Sequence, residues 1–295
     1  MSIPMNPTCL KCRIDRIVSR VGPLGTEEQT NAFLKRWMAM ASQYPDYVDS
    51  ARCGYYTDII VKETYGKNCA DIMAEDRKRS NAFVLERIDA IRARVEGAED
   101  PLYAALQYAV LGNYLDFAAL AGKISFTDLD SMLDKAWDMD LDRTATAEFA
   151  AELEKGKKLL IITDNAGEIG FDRVLAEVLQ KIYPHLQITF CVRGFPVAND
   201  ATREDAAAVG ITFPIVDSGN AVGGMAMEIL SQEAKNAMDE ADVILAKGMG
   251  NTESMWGSNY NIYYAFLVKC QRFVEVFDAP LMAPLFIKET KKAPL

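Results

Sequence analysis

From Lys157 onward, short apolar runs of strand length alternate with amphipathic stretches of helical period, and this alternation restricts the fold more than any other feature of the chain. KKLLIIT at 157–163 has the continuous apolar centre of a strand buried on both faces. A helix follows it with Phe171, Val174, Leu175, Val178 and Leu179 on one side. Next come a predicted strand at 186–192, a helix near 202–209, a strand at 211–216 and a helix from about 231. The last strands are predicted at 242–246 and about 273–277. Repeated βαβ units put strands parallel and helices on both faces. The expected fold class is therefore α/β, a mainly parallel, doubly wound, Rossmann-like three-layer sheet.

No strand-like alternation competes before residue 157. Thr26-Glu27-Glu28-Gln29 is a capping box, followed by Phe33, Leu34, Trp37, Met38 and Ala41 at helical spacing. Phe83, Val84, Ile88, Ile91 and Val95 form one apolar stripe over 77–96, stopped by Gly97. Pro101 opens a helix that buries Leu102, Ala105, Leu106, Ala109 and Val110, and two more are expected near 127–138 and 144–155. This pattern predicts an N-terminal all-α domain, 1–156, and an α/β metal- and phosphate-binding domain, 157–295, with the boundary near Gly156.

A net charge of −10 disfavours nucleic acid and anionic lipid as partners, and an anionic substrate needs a local cation to bind. No apolar run is long enough for a bilayer and the N-terminus lacks a signal-like apolar region, so a cytoplasmic location is expected. The single histidine, His185, excludes histidine-triad zinc chemistry. Of six cysteines, Cys9 and Cys12 form a lone CxxC, and with Cys53 and Cys69 they fit no common zinc module, so free thiols are expected. Nothing in the sequence fixes the oligomeric state.

Ligands of such sheets bind at the carboxyl ends of the strands, and three strand-end loops are polar and glycine-rich. In TDNAGEIGFD (163–172), Asp164 and Asn165 offer hard oxygens, Gly167 allows a tight turn, and Glu168 adds a second acid in the first helical turn. A lone aspartate there would be a helix cap, but two acids and an amide within one loop argue for more. In RGFPVANDATRED (193–205), Arg193 can meet a phosphate, while Asn199 and Asp200 precede a helix. In KGMGNTES (247–254), Lys247 ends a strand, Gly248 and Gly250 free the backbone amides, and Asn251 can donate or accept. Asp164, Asn165 and Asp200 together suit Mg²⁺ or Mn²⁺, with Arg193 and Lys247 balancing a phosphoryl group and Glu168 positioning water.

DNAGE (164–168), RGFPVANDAT (193–202) and KGMGN (247–251) resemble the metal-dependent damage-control phosphatase family, once catalogued as domain of unknown function 89. GNYLDF (112–117) and CLKC (9–12) are similar to features of its prokaryotic branch, which has a helical N-terminal part. The resemblance implies metal ligation by Asp164, Asn165 and Asp200, and contact of Lys247 with phosphate. It makes Asn113 and Asp116 candidates for lining the cleft from the helical side. It also implies Mn²⁺, Co²⁺, Ni²⁺ or Mg²⁺ as cofactor and a small phosphorylated metabolite, a sugar phosphate or related damaged compound, as substrate. Two other readings stay open. A nucleotide-cofactor enzyme such as a methyltransferase would need a GxG-type first loop, where this chain has acids. A non-catalytic metal- and phosphate-binding protein would use the same residues.

Overall fold

Strand β1 (Lys158–Ile162) lies inside a six-stranded sheet of order β3-β2-β1-β4-β5-β6. Its neighbours β2 (Gln187–Val192) and β4 (Val243–Lys247) are both parallel to it. Parallel strands β3 (Ile215–Asp217) and β5 (Ile262–Leu267) extend the sheet, and antiparallel β6 (Pro284–Lys288) closes one edge. The computed structural model describes residues 2–45, 48–116, 131, 133, 134 and 136–289.

Because both faces are covered, alternate strand residues feed different cores. Leu159 and Ile161 pack toward the helices Ala74–Leu85, Ile88–Glu96, Pro101–Leu111, Arg143–Lys155 and Glu168–Ile182. Leu160 and Ile162 pack toward Gln232–Glu240, Gly248–Met255 and Gln271–Phe277. The expected boundary near Gly156 separates helix from strand in sequence, but the larger core runs across it, joining Phe83, Val110 and Phe149 to Ile161 and Phe190. A smaller core, around Phe33, Trp37, Cys53 and Val61, belongs to the first helices alone. Its one buried indole N–H is satisfied, since Trp37 Nε1 donates to Thr57 Oγ1 at 2.8 Å.

Several predicted elements change. Residues 273–277 are helical, within Gln271–Phe277, and the strand is IYYAFL at 262–267. Phe273 and Val276, three apart, are the buried pair of that helix, a helical and not a strand spacing. The strand expected at 211–216 is confined to Ile215–Asp217. The stripe over 77–96 is two helices that part at Glu86–Arg87. Helices Pro7–Arg16 and Ser50–Tyr65 and edge strand β6 were not anticipated. The helix expected near 127–138 falls largely outside the described residues, and Ala136–Asp138 is a single 3₁₀ turn. Among the described residues no helix is long and apolar enough to cross a membrane.

Candidate active site

The strand order reverses between β1 and β4, which opens a crevice at their carboxyl ends. The loop after β1 is stitched there to the loop after β2. Ala201 N–H donates to Asp164 C=O and Ala166 N–H to Asn199 C=O, both at 2.8 Å, and Asn165 pairs with Asp200 as an antiparallel bridge. A turn with Ala198 in the left-handed region (φ 43°) precedes the bridge and delivers Asn199 and Asp200 to it. These backbone bonds bring Asp164, Asn165 and Asp200 together.

Two glycines make the approach of further elements feasible. Gly167 has φ 78°, and a Cβ there would lie 2.8 Å from Ser80 on the helix Ala74–Leu85. That helix also receives the Gly167 N–H on Asn81 Oδ1 at 2.7 Å. Gly248 has φ 77°, and a Cβ there would overlap the Asp164 carboxylate itself. Gly248→Ala therefore combines left-handed strain with a displaced aspartate. It should cost about 1–3 kcal/mol of stability and lower turnover much more than folding, checked by denaturant titration beside kinetic assay.

A cavity of about 1390 Å³ opens over this junction. Asp116, Asp164, Asn165, Asn199, Asp200 and Lys269 line its acidic end. Asp164 Oδ2 accepts from Asn113 Nδ2 at 2.9 Å and from Asn165 Nδ2 at 2.7 Å. Asn165 Oδ1 accepts from Asn199 Nδ2 at 2.6 Å, and Asp200 Oδ2 from Arg193 Nε at 2.7 Å. Among the described residues no hydrogen bond occupies the second oxygen of Asp164 or of Asp200. Burial, then the charges of Glu168, Asp200 and Asp116, hold the Asp164 carboxyl well above its ordinary range. Burial also raises Asp200, against the pull of Arg193. Such crowded hard oxygens suit a divalent cation, which would relieve their repulsion. Among the described residues no group of three His, Cys, Asp or Glu side chains could hold a metal, so a cation here would need the Asn165 amide beside the two aspartates.

Five of the predicted site residues sit behind this surface. Lys247 is fully buried, and its ammonium donates to Glu168 Oε1 at 2.8 Å, Asp172 Oδ1 at 2.6 Å and Ala109 C=O at 2.8 Å. Its three N–H bonds are all used, which leaves none for a phosphate. Burial opposes its charge, but Asp172 and Glu168 outweigh burial and raise its pKa. Glu168 is also fully buried, and its Oε2 accepts from Asn113 and Asn165, so it braces the loop after β1 and does not face the cavity. Arg193 spends its guanidinium on Asp200, Met225 and Asn251. Asn251 is buried and donates to Thr163 C=O and Lys247 C=O. Asn113 bridges Asp164, Glu168 and the Leu267 N–H. Asp116 and Asn199 do line the cavity, and Asp116 pairs with Lys269 at 2.9 Å.

Sequence reasoning missed Lys269, Asp172, Asn81 and the buried Arg77–Asp205 pair at 2.8 Å. Lys269 follows the true end of β5, and placing that strand too late hid it. Asp172 lies one helical turn after Glu168, a spacing that puts both acids on one face. Asn81 and Arg77 gave no local signal, because their partner Asp205 is distant in sequence.

Residues 5–284 match the family model described as "Damage-control phosphatase ARMT1-like domain". A damage-control phosphatase of Archaeoglobus fulgidus is 33% identical over 205 residues, covering 68% of this chain and 70% of that protein. Another, of Pyrococcus horikoshii, is 25% identical over 278 residues, covering 92% and 93%. An uncharacterized protein of Methanocaldococcus jannaschii is 28% identical over 288 residues, covering 93% and 92%. The crystal structure of a DUF89 family protein from Pyrococcus horikoshii has the same fold, with a TM-score of 0.82 at 23% identity over 97% of this chain and 99% of that one.

Proposed function

The chain belongs to the ARMT1-like damage-control phosphatase family, and on that premise we propose that it hydrolyses small phosphate monoesters with a divalent cation held by Asp164, Asn165 and Asp200. The observation that supports this most is the crowding of unsatisfied carboxylate oxygens at the switch point of the sheet, in the wall of a large cavity. A bound Mn²⁺, Mg²⁺, Co²⁺ or Ni²⁺ would supply charge for the phosphate oxygens and acidity for water.

The chain's own residues set the geometry. Asn113 and Asn165 fix one oxygen of Asp164, and Arg193 fixes one oxygen of Asp200, so the other oxygen of each aspartate would be available to hold a cation. Lys269, with Asp116 on one of its N–H bonds, presents the rest to the phosphate. This is the part first expected of Lys247. Asp116 takes the proton of the attacking water, the part first expected of Glu168. The water oxygen bonds to phosphorus as the ester P–O bond breaks, and the alcohol oxygen picks up a proton from solvent. Positioning and charge neutralisation do most of the work, as in other phosphoryl transfers. A nucleotide cofactor fits less well, since acids crowd the loop where its phosphates would lie.

The test is phosphate release from a panel of sugar and polyol monophosphates with Mn²⁺ or with chelator. Hydrolysis should fall on the order of a hundredfold or more on chelation. Release that ignores the chelator would remove the metal from the account. Saturable Mn²⁺ binding without turnover of any ester would instead favour a non-catalytic binding protein.

A further inference from the structure

The cavity extends well past the acidic end, and its opposite wall has a different chemistry. Arg13 and Arg16 come from the helix Pro7–Arg16, Arg272 from the helix Gln271–Phe277, and Glu253 from the helix Gly248–Met255. Asn6 Nδ2 donates to Glu275 Oε2 at 3.2 Å, which ties the start of the first helix to the second. Glu253 retains 9% of its surface and lines the cavity, yet among the described residues its carboxyl makes no hydrogen bond or ion pair. Neither does the guanidinium of Arg16 or of Arg272, and Arg272 Nε is fully enclosed without a partner. Arg13 is the anchored member, donating to Ser50 Oγ at 2.6 Å.

Buried polar groups left without partners in a cavity wall mark a place where a ligand completes the bonding. The group that completes this one must accept from guanidinium, and an anion does so most strongly. Three arginines face one carboxyl, and burial pushes that carboxyl up to about 8 against the pull of Arg13, so it cancels little of their charge at neutral pH. Two thiols on the same wall, Cys9 and Cys270, stay neutral as well. Burial raises Cys9, and it pushes Cys270 up to about 11. The nearby acids Asp15 and Asp49 already pair with Lys11 and Arg52. The wall is thus a positive island in a chain of net charge −10.

Its distance from the acidic end follows from the helix that joins them. Gly248 abuts the Asp164 carboxylate, and Glu253 lies five residues on, about 7.5 Å along the axis at the α-helical rise. We propose that Arg16 and Arg272, with Glu253 between them, form a second anion subsite, so that the preferred substrates are phosphate esters carrying a carboxylate or a second phosphate at the far end of a short polyol chain. The inference rests on the phosphatase reading of the acidic end and adds the class of substrate.

The experiment compares matched pairs of esters on wild type, Arg16→Gln and Arg272→Gln. Sorbitol 6-phosphate against 6-phosphogluconate, both open-chain, exchanges only a terminal CH2OH for a carboxylate, and fructose 6-phosphate against fructose 1,6-bisphosphate adds only a phosphate. Wild type should favour the doubly anionic member by tenfold or more in kcat/KM, mostly through KM. Whichever pair shows the larger ratio identifies the second group. Each variant should lose most of that preference while staying within about threefold of wild type on the singly charged esters. Equal use of both members by wild type overturns the subsite and leaves the phosphatase reading standing, whereas no hydrolysis of any ester defeats that reading first. Should a variant fold poorly, wild type alone still decides. Its preference must shrink as KCl is raised, because guanidinium–anion contacts screen, and a preference unchanged by salt counts against the proposal.

Discussion

Lys247→Met should unfold at markedly lower denaturant than wild type, with a loss of about 3–5 kcal/mol. The ammonium is enclosed between Glu168, Asp172 and a backbone carbonyl, and methionine fills the space without the charge. Two carboxylates then remain buried with no cation. Their desolvation is the source of the loss, more than any bond the lysine made. A control follows from the same reasoning. The triple variant Lys247→Met, Glu168→Gln, Asp172→Asn buries no charge and should recover much of the stability. If the triple variant is as unstable as the single one, packing rather than charge explains the loss.

Asp172 by itself should behave differently. Burial pushes its carboxyl up to about 7, and its Oδ2 is enclosed without a partner. A carboxyl raised above its unfolded value of 3.8 weakens the fold as pH climbs from there through about 7, since the unfolded chain releases the proton first. Asp172→Asn keeps an acceptor for Lys247 and removes that titration. Its stability should therefore fall less than that of wild type between pH 4 and 7 in urea melts.

Asp164→Asn is expected to abolish most turnover, on the order of a hundredfold or more in kcat, while the metal-free protein melts at or above the wild-type temperature. The two effects share a cause. Asp164 is crowded by Glu168, Asp200 and Asp116, and that repulsion is relieved by a neutral amide as well as by a cation. The asparagine oxygen can still accept from Asn113 and Asn165. A purely structural aspartate would show the reverse, lower stability with activity falling in proportion. Melting is compared in chelator, because bound metal would stabilise wild type and mask the difference.

The layout of this site was partly legible in the sequence, and the reason is its location on strand ends. Asp164, Asn165 and Asp200 follow strands whose apolar runs are unambiguous, so their loops could be placed at one rim of the sheet. Lys247 was placed correctly on its strand, but its environment was not, because the acceptors Asp172 and Ala109 come from helices packed over the sheet. Periodicity tells which face a residue takes and says nothing of which partner waits there. Lys269 was lost for a simpler reason. IYYAFLVK runs on into a helix with apolar residues at close spacing, and the strand was read too far along. The short interruption at Glu86–Arg87 likewise leaves no mark, since the apolar stripe continues in phase across it.

The cavity wall of arginines was illegible for a third reason. Arg16 and Arg272 come from opposite ends of the chain and meet only because the first helix packs on the helix Gln271–Phe277. No local pattern encodes that meeting. The CxxC at Cys9 and Cys12, which fits no metal module in the sequence, lines the same wall as free thiols.

The most direct measurement is a Mn²⁺ titration of the intact chain, followed by electron paramagnetic resonance, on wild type, Asp164→Asn and Asp200→Asn. One saturable site per chain in wild type, lost or weakened at least tenfold in both variants, is the expected result. Binding that is equal in all three proteins would mean that these aspartates do not share a cation, and the account of the site would be wrong.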